Sequence, residues 1–578
     1  MRRKGVRRVA DDAAHDSDSE ATQGGHMDRH TCRKSVTLLV VLVLTTLTAG
    51  LAIGCGASGG GGSAAAGTAP KSGGSLTLAY QSEPTTLDPA IAYNIVDWEI
   101  EHCVYEGLFR YAPKTGEAGT TLEPAMAAAM PTISNGGKTY TIKLKPGIKF
   151  QPPVDRAVTA EDFKYSFERM MKLPLAPATY FYAGVVGAKD YQAGKADHIA
   201  GYKVLDPYTI QIDLEHPDLS FLNVLTMEFC DPIPKEWVEK WGNKNVGRHP
   251  LGTGPFMFDR WTPGQEIVLK RNPNYREAGK PHLDGLTFAL SLSPQTALLK
   301  LQRGEVDVLG DRLPPSDIPR VMADPAWKDY VFTQPKVSIH YLYMNVNFKP
   351  FDNVKVRQAL SWAIDRDKLV KLLSGQAQPL YQVYPPGMPG YQPDKKWYGY
   401  DSTKAKQLLA EAGFPNGFST TLYTDNVDPD PKIMQSIQAD LAAVGVKADI
   451  KTTSNDTFYT LQSLLDKTPA GDFLWSMDYP DPSDWIIPIF SKSNAVSGGM
   501  NSSHWWSPTL EKTIVEAQAM TDAQARLAKY DEMQACIMEQ APYVTLYSPI
   551  MTTMCSKNVG GFYLHPVYDF DPVDYWRK

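Results

Sequence analysis

Apolar and polar side chains alternate in several short runs along the chain, with helical stripes between them. Alternation with a period of two indicates a strand that has one buried face. Three runs show it plainly, namely SLTLAY at 75–80, TYTIKL at 139–144 and YTIQIDL at 208–214. We expect a strand at each of them.

A capped helix is predicted from Thr159, where the sequence TAEDFKYSFERMMKL begins. Thr is a residue type that caps helix N-termini, and an acid follows Thr159 three positions later, as in a capping box. Phe163, Phe167 and Met170 recur at helical spacing, so they predict one buried face.

A helix followed directly by a strand is predicted in the stretch PKIMQSIQADLAAVGVKADI. The stripe of the helix consists of Ile433, Ile437, Leu441 and Val444, Gly445 ends it, and the strand alternates through Val446, Ala448 and Ile450. Units of this kind occur throughout the chain. They predict α/β lobes with partly parallel sheets.

The length of 578 residues exceeds what one simple hydrophobic core fills, so we expect two or three lobes. The formal net charge is −6 at pH 7. A mildly acidic chain provides no electrostatic basis for binding nucleic acid.

An export signal is predicted near the N-terminus. Residues 36–53 form a run of 18 residues without a charge, preceded by Arg33 and Lys34, which is the pattern of a secretory signal. An uncleaved membrane anchor is the alternative, because the run just reaches the length of a spanning helix. Cys55 and the tract GASGGGGSAAAGTAPKSGG follow, and a tract of this composition cannot bury a core.

The residues that end the run at Cys55 resemble a bacterial lipobox, although Ala52 stands where Leu is commonest. The resemblance implies that Cys55 is lipidated and becomes the mature N-terminus. We therefore expect a signal region at 1–54 and a lipid-anchored tether at 55–74, with an r.m.s. reach of roughly 25 Å. The Arg-rich and Asp-rich residues ahead of the signal indicate that translation starts at Met27.

Four cysteines follow Cys55, and an even count in an exported protein permits two disulfides with three possible pairings. The pairing that we favour is Cys103–Cys230 with Cys536–Cys555.

No common catalytic motif stands in a context that supports it. The match to G-x-S-x-G at 56–60 lies inside the tether, and the GK[ST] triplet at 136–139 lacks the first Gly of a P-loop, because Thr132 stands there. Neither H-E-x-x-H nor C-x-x-C occurs, and Asp569, Asp571 and Asp574 lack the Gly and Glu of a calcium loop, so we read them as a solvated face. We expect no enzyme, no cofactor and no metal.

Several segments together resemble the extracytoplasmic solute-binding proteins of peptide/nickel-type ABC importers, the oligopeptide- and dipeptide-binding family 5. The resemblance spans about residues 73–555 and is strongest in PLGTGPFMFDRWTPGQEIVLKRNPNY at 250–275, with its core Gly252-Thr-Gly-Pro255. The other segments stand in the family's order, namely LDPAIAYNIVDWEIEHCVYEGLFRY from Leu87, IKLKPGIKF, VTAEDFKYSFERM, LLKLQRGEVDV, YLYMNVNFKPFDNVKVRQALSWAIDRDKLV at 341–370 and APYVTLYSP at 541–549.

These segments also have a physical reading as scaffold. Asp352 and Asn353 are suited to cap a helix whose buried stripe is Val356, Leu360 and Ile364. The glycines and the proline at 252–255 suit a sharp turn that starts a strand.

The resemblance implies a periplasmic-binding-protein-like type II fold (cluster C), with two lobes that clasp the ligand, a hinge and an extra small domain. The boundaries that it implies are 75–107 with 206–335 and 543–578 for lobe I, 108–205 for the extra domain II, and 336–542 for lobe III. It implies a monomer on the extracytoplasmic face of a bacterial membrane, or in the periplasm, which closes over a ligand and docks on permease subunits with cytoplasmic ATPases.

The resemblance also implies a ligand site. Trp475 and Asp478 in FLWSMDYPDPSDW match the family's Trp-x-x-Asp, whose Asp accepts the α-ammonium group of a peptide. Tyr93, Asn94 and Ile95 align with the segment that lines the opposite side of the cleft. Tyr341 and Asn345, on the presumed hinge strand, are further candidates.

The residue that would hold a peptide's carboxylate is not identified by the sequence. Lys404, Lys432 and Lys467 fall in lobe III, where surface lysines are also common. A sugar, an opine, haem or a nickel complex on the same fold therefore stays open as the ligand, as does a lipid-anchored sensor or hydrolase.

Overall fold

The structure is a computed structural model that describes residues 69–174, 176–427 and 429–578. The predicted signal region 1–54, the start at Met27, the lipidated Cys55 and most of the tether lie outside the described residues. None of the helices in the described ranges is long and apolar enough to span a membrane.

The strands alternate with helices along the described chain. In chain order the strands are β1 (Ser75–Ala79), β2 (Phe109–Tyr111), β3 (Leu122–Pro124), β4 (Thr132–Ser134), β5 (Thr139–Lys143), β6 (Tyr202–Asp206), β7 (Thr209–Asp213), β8 (Phe256–Thr262), β9 (Glu266–Arg271), β10 (Gly285–Ala289), β11 (Val308–Leu309), β12 (Val331–Pro335), β13 (Ser338–Met344), β14 (Ala377–Pro379), β15 (Ser419–Asp425), β16 (Lys447–Thr453), β17 (Ala470–Ser476), β18 (Tyr543–Met554), β19 (Val559–Gly560) and β20 (Trp576–Arg577).

The helices cover the sheets that these strands form. They are α1 (Ile95–Val104), α2 (Ala160–Lys172), α3 (Ala188–Gln192), α4 (Phe221–Val224), α5 (Lys235–Trp241), α6 (Pro294–Arg303), α7 (Ile318–Ala323), α8 (Val354–Ala363), α9 (Arg366–Leu372), α10 (Ser402–Glu411), α11 (Asp430–Ala443), α12 (Asn455–Gln462), α13 (Ser483–Phe490), α14 (Pro508–Gln518) and α15 (Ala523–Gln540).

Three larger sheets organise the described chain. The first has the order β11-β1-β10-β9-β8, in which β1 runs parallel to both of its neighbours. The second is an antiparallel sheet with the order β4-β5-β7-β6. The third has the order β12-β18-β13-β17-β15-β16, with β14 paired to β18, and it is mixed because β15 is parallel to β16 and β17.

The third sheet is buried on both faces. Along β13 the side chains of Ile339, Tyr341 and Tyr343 enter one hydrophobic cluster, and those of Leu342 and Met344 enter another. This separation follows from the alternation of side chains across a strand. The helices α8 and α11 pack on the second of these faces, and α13 and α15 pack on the first.

The long strand β18 links the third sheet to the first. Its first half pairs with β13 between Tyr543 and Tyr547, and its second half pairs with β12 between Ile550 and Met554. Cys555, directly after β18, forms an isolated bridge with Val308 of β11. The backbone therefore crosses from the third sheet to the first at β18.

The local predictions agree with the structure. The strands predicted at 75–80, 139–144 and 208–214 are β1, β5 and β7. Thr159 and Asp162 form a capping box at the start of α2, and the apolar stripe of that helix is buried. In α8, Asn353 accepts a hydrogen bond from the backbone nitrogen of Lys355 and caps the helix.

The chain bends at 253–255 directly before β8, as predicted, and the glycines of this segment have a further role in packing. A Cβ at Gly252 would lie 2.6 Å from the carbonyl oxygen of Val104 and 2.5 Å from the ring of Tyr105. A Cβ at Gly254 would meet the same backbone at 2.6 Å. Gly is therefore required because two chain segments pack closely, and β8 starts just afterwards at Phe256.

The predicted disulfides are not formed, because Cys103, Cys230, Cys536 and Cys555 all occur as thiols. The members of each predicted pair belong to separate hydrophobic clusters. Cys103 donates a hydrogen bond to the carbonyl oxygen of Glu99, and Cys230 donates one to the hydroxyl of Tyr182 at 3.0 Å. Burial raises the pKa of the Cys230 thiol to about 12.

Candidate ligand-binding site

A cavity of about 220 Å³ lies where several distant parts of the chain meet. Its walls come from Tyr111 and from residues within the segments 93–102, 226–228, 336–338, 476–478 and 566–569. Of the residues that the sequence predicted for the site, the structure places Tyr93, Asn94, Ile95 and Asp478 in this lining.

Tyr93 and Asp478 meet across the cavity. The phenol of Tyr93 donates a hydrogen bond of 2.8 Å to Oδ1 of Asp478, and its oxygen lies 3.3 Å from the hydroxyl of Tyr180. Tyr93 precedes α1, Asp478 follows β17, and Tyr180 belongs to the short helical turn Thr179–Tyr182. Three separate segments are thus held together at the predicted ammonium site.

The Asp478 carboxyl group is in an environment that resists its ionisation. Burial raises the pKa of Asp478 to about 6, although the hydrogen bond from Tyr93 favours the charged form. The backbone nitrogen of Asp478 donates to Oδ2 of Asp484, which is fully buried. Burial also raises the pKa of Asp484 well above its ordinary range, and the nearby Asp478 adds to this effect.

The segment after Asp478 is fixed by a buried ion pair. Both guanidinium NH groups of Arg526, on α15, donate to the Asp481 carboxylate at 2.6 and 2.8 Å. Asp481 also accepts hydrogen bonds from the backbone and the hydroxyl of Ser483 at the start of α13. These bonds fix the loop that presents Asp478, which provides a rigid support for a binding residue.

The first turn of α1 positions the other predicted residues. Asn94 donates a side-chain hydrogen bond of 3.2 Å to Asp97, which also accepts two bonds from Thr85. Ile95 is 61% exposed and lines the cavity, so an apolar side chain faces open space there.

The remaining predicted residues lie outside this lining. Trp475 and Tyr341 are buried in the hydrophobic cluster beneath the third sheet, where the Tyr341 ring stacks on Tyr543 at 4.8 Å. Asn345 is fully buried and donates to the carbonyl oxygens of Leu465 and Thr468. Their positions make them part of the support for β13 and β17.

The three lysines considered for a ligand carboxylate also lie outside the lining. Lys404 lies over the ring of Trp362 at 3.8 Å, and Lys467 pairs with Asp466. The basic residues in the described part of the lining are Lys336, directly after β12, and His102, on α1.

The C-terminal acids are not a solvated face, contrary to the sequence interpretation. Asp569 and Asp571 are both 6% exposed. Asp569 pairs with Lys336, and Oδ1 of Asp571 lies 3.6 Å from Nε2 of His102. Burial would raise the pKa of Asp571, but hydrogen bonding and charge from His102 lower it to about 2.

Sequence reasoning missed two further acids in the lining. Glu99 of α1 is 7% exposed and Glu228 is 6% exposed. Burial raises the pKa of Glu228 to about 7, although the charge of His102 favours ionisation. For Glu99, burial raises the pKa well above the ordinary range. Glu99 stands in the family segment from Leu87 and Glu228 stands outside the quoted segments, but the sequence does not show that either side chain lines the cavity.

Aromatic rings form much of the remaining wall. The rings of Tyr93 and Trp98 lie 5.5 Å apart and both contact Phe229. On another side, the ring of Tyr568 stacks on His102 at 3.9 Å and approaches Tyr111 at 5.9 Å. Acids beside aromatic faces suit a ligand with both cationic and apolar parts.

Residues 121–497 match the model of the bacterial extracellular solute-binding proteins, family 5. The glutathione-binding protein GsiB of Escherichia coli O157:H7 is 31% identical over 511 residues, which cover 86% of this chain and 94% of that protein. These matches agree with the family resemblance seen in the sequence.

Solved structures share the fold. HbpA2 from Haemophilus parasuis has a TM-score of 0.76 at 26% identity, covering 87% of this chain and 100% of that chain. The ABC transporter-associated periplasmic binding protein DppA from Helicobacter pylori, in complex with the peptide STSA, has a TM-score of 0.70 at 27% identity, covering 88% and 98%. The predicted periplasmic-binding-protein-like α/β fold is confirmed.

Proposed function

Because the chain belongs to family 5 of the bacterial extracellular solute-binding proteins, the family of the peptide/nickel-type ABC importers, we propose that it captures a short peptide and delivers it to a membrane permease. The role that we propose is ligand binding without catalysis. The observation that carries the peptide assignment is the position of Asp478, whose carboxylate lines the cavity.

Asp478 is suited to receive a peptide's α-ammonium group. Tyr93 donates a hydrogen bond to Oδ1 of the Asp478 carboxylate. Because a carboxylate accepts more than one hydrogen bond, the ammonium group binds in addition to Tyr93. A charge-assisted hydrogen bond is strong in a site that excludes water.

The size of the cavity favours a small peptide. Its volume of about 220 Å³ lies below the roughly 300–1,000 Å³ of pockets for drug-sized ligands. We therefore expect a dipeptide or tripeptide. Glutathione is a tripeptide, and the relatives named glutathione-binding proteins make it one of the ligands to test.

We propose that the lobes close over this ligand as the boundaries implied by the sequence suggest, with lobe III at 336–542 opposite lobe I. Strand β18 runs from the third sheet to the first, and few strands connect these two sheets. This arrangement supports a hinge at β18. A monomer in solution should show a smaller radius of gyration with peptide than without it in small-angle X-ray scattering. An unchanged radius would contradict closure.

We also propose that Cys55 is lipidated and anchors the chain outside the cytoplasm. Its position after an uncharged run and before a Gly-rich tract supports this. Cys55→Ala should move the protein from the detergent phase to the aqueous phase in Triton X-114 partitioning, whereas Cys32→Ala should leave it in the detergent phase. Unchanged partitioning of Cys55→Ala would refute the anchor.

The peptide assignment is tested on protein purified from cells that express the full chain. Mass spectrometry of the co-purifying small molecules should find short peptides, and a defined sugar, opine, haem or nickel chelate would refute the assignment. After the bound ligand is removed, Asp478→Asn should weaken tripeptide binding in calorimetry by at least about 2 kcal/mol, the cost of losing one partner of a buried pair. Asp394→Asn, an exposed acid outside the cavity, should bind like the wild type.

A further inference from the structure

Acidic groups outnumber basic groups in the lining of the cavity. Four acids line it, and the basic residues in the described lining are Lys336 and His102. Both basic residues already have acidic partners in the C-terminal segment, since Lys336 pairs with Asp569 and Nε2 of His102 lies 3.6 Å from Asp571.

Three lining acids remain without such a partner. Glu99, Glu228 and Asp478 form no ion pair with any residue that the structure describes. The pairing within the protein therefore leaves three carboxyl groups in the lining whose ionised forms have no ion-pair partner.

Glu228 and Glu99 show that these carboxyl groups lie in a desolvated place. Glu228 is 6% exposed, and its carboxylate accepts a hydrogen bond from its own backbone nitrogen. Oε2 of Glu99 is buried without a hydrogen-bond partner. A buried polar atom without a partner costs free energy, so a ligand that supplies a donor at this place is favoured.

The surrounding rings are suited to a cation as well. The ring of Tyr93, which reaches Asp478, lies 5.7 Å from that of Phe229, the residue after Glu228. Tyr111 and Tyr568 also face the cavity. Lysine and arginine side chains bind readily where carboxylates stand beside aromatic faces, because both groups attract the cation.

We propose that the cavity selects short peptides with a second cationic group, a lysine or arginine side chain that Glu228 and Glu99 receive while Asp478 holds the α-ammonium group. This inference rests on the proposed peptide-binding function and adds the charge of the substrate to it. A net anionic tripeptide such as glutathione is then disfavoured, although relatives are named for binding it.

The attraction has a plain electrostatic cause. A cation that enters the cavity favours the ionised forms of these buried carboxyl groups, and the low local dielectric strengthens the interaction. A ligand carboxylate near the same acids meets repulsion instead. Substrate charge therefore decides affinity more strongly here than at a solvent-exposed site.

The test compares matched tripeptides by calorimetry on ligand-free protein from cells that express the full chain. The peptides are Lys-Ala-Ala, Ala-Lys-Ala and Ala-Ala-Lys, the same three with Gln or Glu in place of Lys, and glutathione. We expect the best Lys peptide to bind at least about tenfold more tightly than its Gln counterpart, and the Glu peptides and glutathione to bind more weakly still.

The variants Glu228→Gln and Glu99→Gln locate the effect. Each should reduce the Lys-over-Gln preference, measured as the ratio of the two affinities in the same variant, and thermal unfolding verifies that each variant is folded. Glu117→Gln, an exposed acid outside the cavity, should keep the full preference. Putrescine, with two ammonium groups and no peptide backbone, should bind more weakly than the Lys peptide.

The outcomes separate this inference from the function on which it rests. Equal affinities for Lys, Gln and Glu peptides, or a preference that both variants leave unchanged, would overturn the cation site and leave peptide binding intact. Putrescine binding more tightly than every Lys peptide would overturn the assignment to a peptide side chain. Failure of every peptide to bind would overturn the proposed function together with this inference.

Discussion

Tyr93 donates a hydrogen bond of 2.8 Å to Asp478 although 385 positions separate them in the chain. The bond joins the segment before α1 to the segment after β17, and it closes one side of the cavity. It also stabilises the ionised form of the carboxylate that we propose for the ammonium group. A change in this hydrogen bond should therefore alter both the contact between the two walls and the affinity for the ligand.

Tyr93→Phe removes that hydrogen bond and keeps the ring. The pKa of Asp478 should rise further above about 6, because burial then acts without the opposing phenol. We expect tripeptide affinity at pH 7 to fall by roughly tenfold, as a hydrogen bond to a charged group contributes about 1.5 kcal/mol or more. Calorimetry measures this change.

Tyr180→Phe is the matched control for that variant. The Tyr180 hydroxyl contacts Tyr93 at 3.3 Å, and the described structure shows no hydrogen bond between it and Asp478. Its loss should change affinity less than the loss of the Tyr93 hydroxyl. Equal losses in the two variants would mean that the phenol of Tyr93 acts through the cluster and not through Asp478.

Peptide affinity should depend on pH through Asp478. Burial raises the pKa of this group to about 6, so it is ionised at pH 8 and increasingly protonated below pH 6. Binding of Ala-Ala-Ala should therefore be strongest above pH 7. Below pH 6 the affinity should fall by up to about tenfold for each pH unit. Calorimetry between pH 5 and 8 measures this, and Asp478→Asn should lose that part of the dependence.

The parts of the site that the sequence predicted are those with local motifs. Asp478 stands in a short sequence pattern, and Tyr93, Asn94 and Ile95 border a helix start. Tyr341 and Asn345 stand in an equally recognisable segment, yet the alternation of β13 turns Tyr341 into the core beside Tyr543. A motif locates a segment, whereas packing decides which side chain faces the ligand.

Glu228, which we propose for charge selectivity, had no such local signal. Glu228 lies in the short helical turn Glu228–Cys230, and its relation to His102 exists only once distant segments are folded together. Asp569 looked like part of a solvated tail because sequence shows charge but not the partner Lys336. The α/β character was predictable because alternation and capping are local, as the box at Thr159 shows, whereas the periplasmic-binding-protein-like fold was implied by the family resemblance.

Glu228→Gln should stabilise the ligand-free protein at high pH. The pKa of Glu228 is raised by burial from 4.5 to about 7, so the folded state binds more protons than the unfolded state between these values. The stability of the wild type therefore falls as pH rises through this window. Gln carries no charge, and its advantage should reach up to roughly 3 kcal/mol at pH 8 and vanish near pH 4.

Urea unfolding at pH 4, 6 and 8 measures this difference between the variant and the wild type. Glu117→Gln, at an exposed position, should show no such trend with pH. A stability difference for Glu228→Gln that stays constant with pH would contradict a buried, protonated Glu228.

Asp481→Asn should destabilise the protein strongly. Arg526 and Asp481 are both buried, and the change leaves the guanidinium charge without its partner. Breaking a buried pair from one side costs about 3–5 kcal/mol. Glu532→Gln, which removes an exposed partner of Lys529 on the same helix, should cost at most about 1 kcal/mol.

Chemical unfolding of both variants provides the comparison. Because Asp481 supports the loop that presents Asp478, Asp481→Asn should also weaken tripeptide binding under conditions where it is folded. A cost for Asp481→Asn as small as that of Glu532→Gln would show that the buried pair contributes little to the stability of this loop.

Gly252→Ala tests whether close packing, and not turn geometry, requires glycine at this position. The added Cβ would lie 2.6 Å from the carbonyl oxygen of Val104 and 2.5 Å from the ring of Tyr105, so the end of α1 or the start of β8 must shift. Overpacking of this kind costs typically about 1–3 kcal/mol.

Gly184→Ala is the control, because a Cβ there meets no atom within 4 Å. Thermal unfolding should show a clear loss for Gly252→Ala and little change for Gly184→Ala. Since α1 carries Glu99 and follows Tyr93, a shift at its end should also weaken tripeptide binding, whereas equal stability of the two variants would show that close packing does not require glycine at position 252.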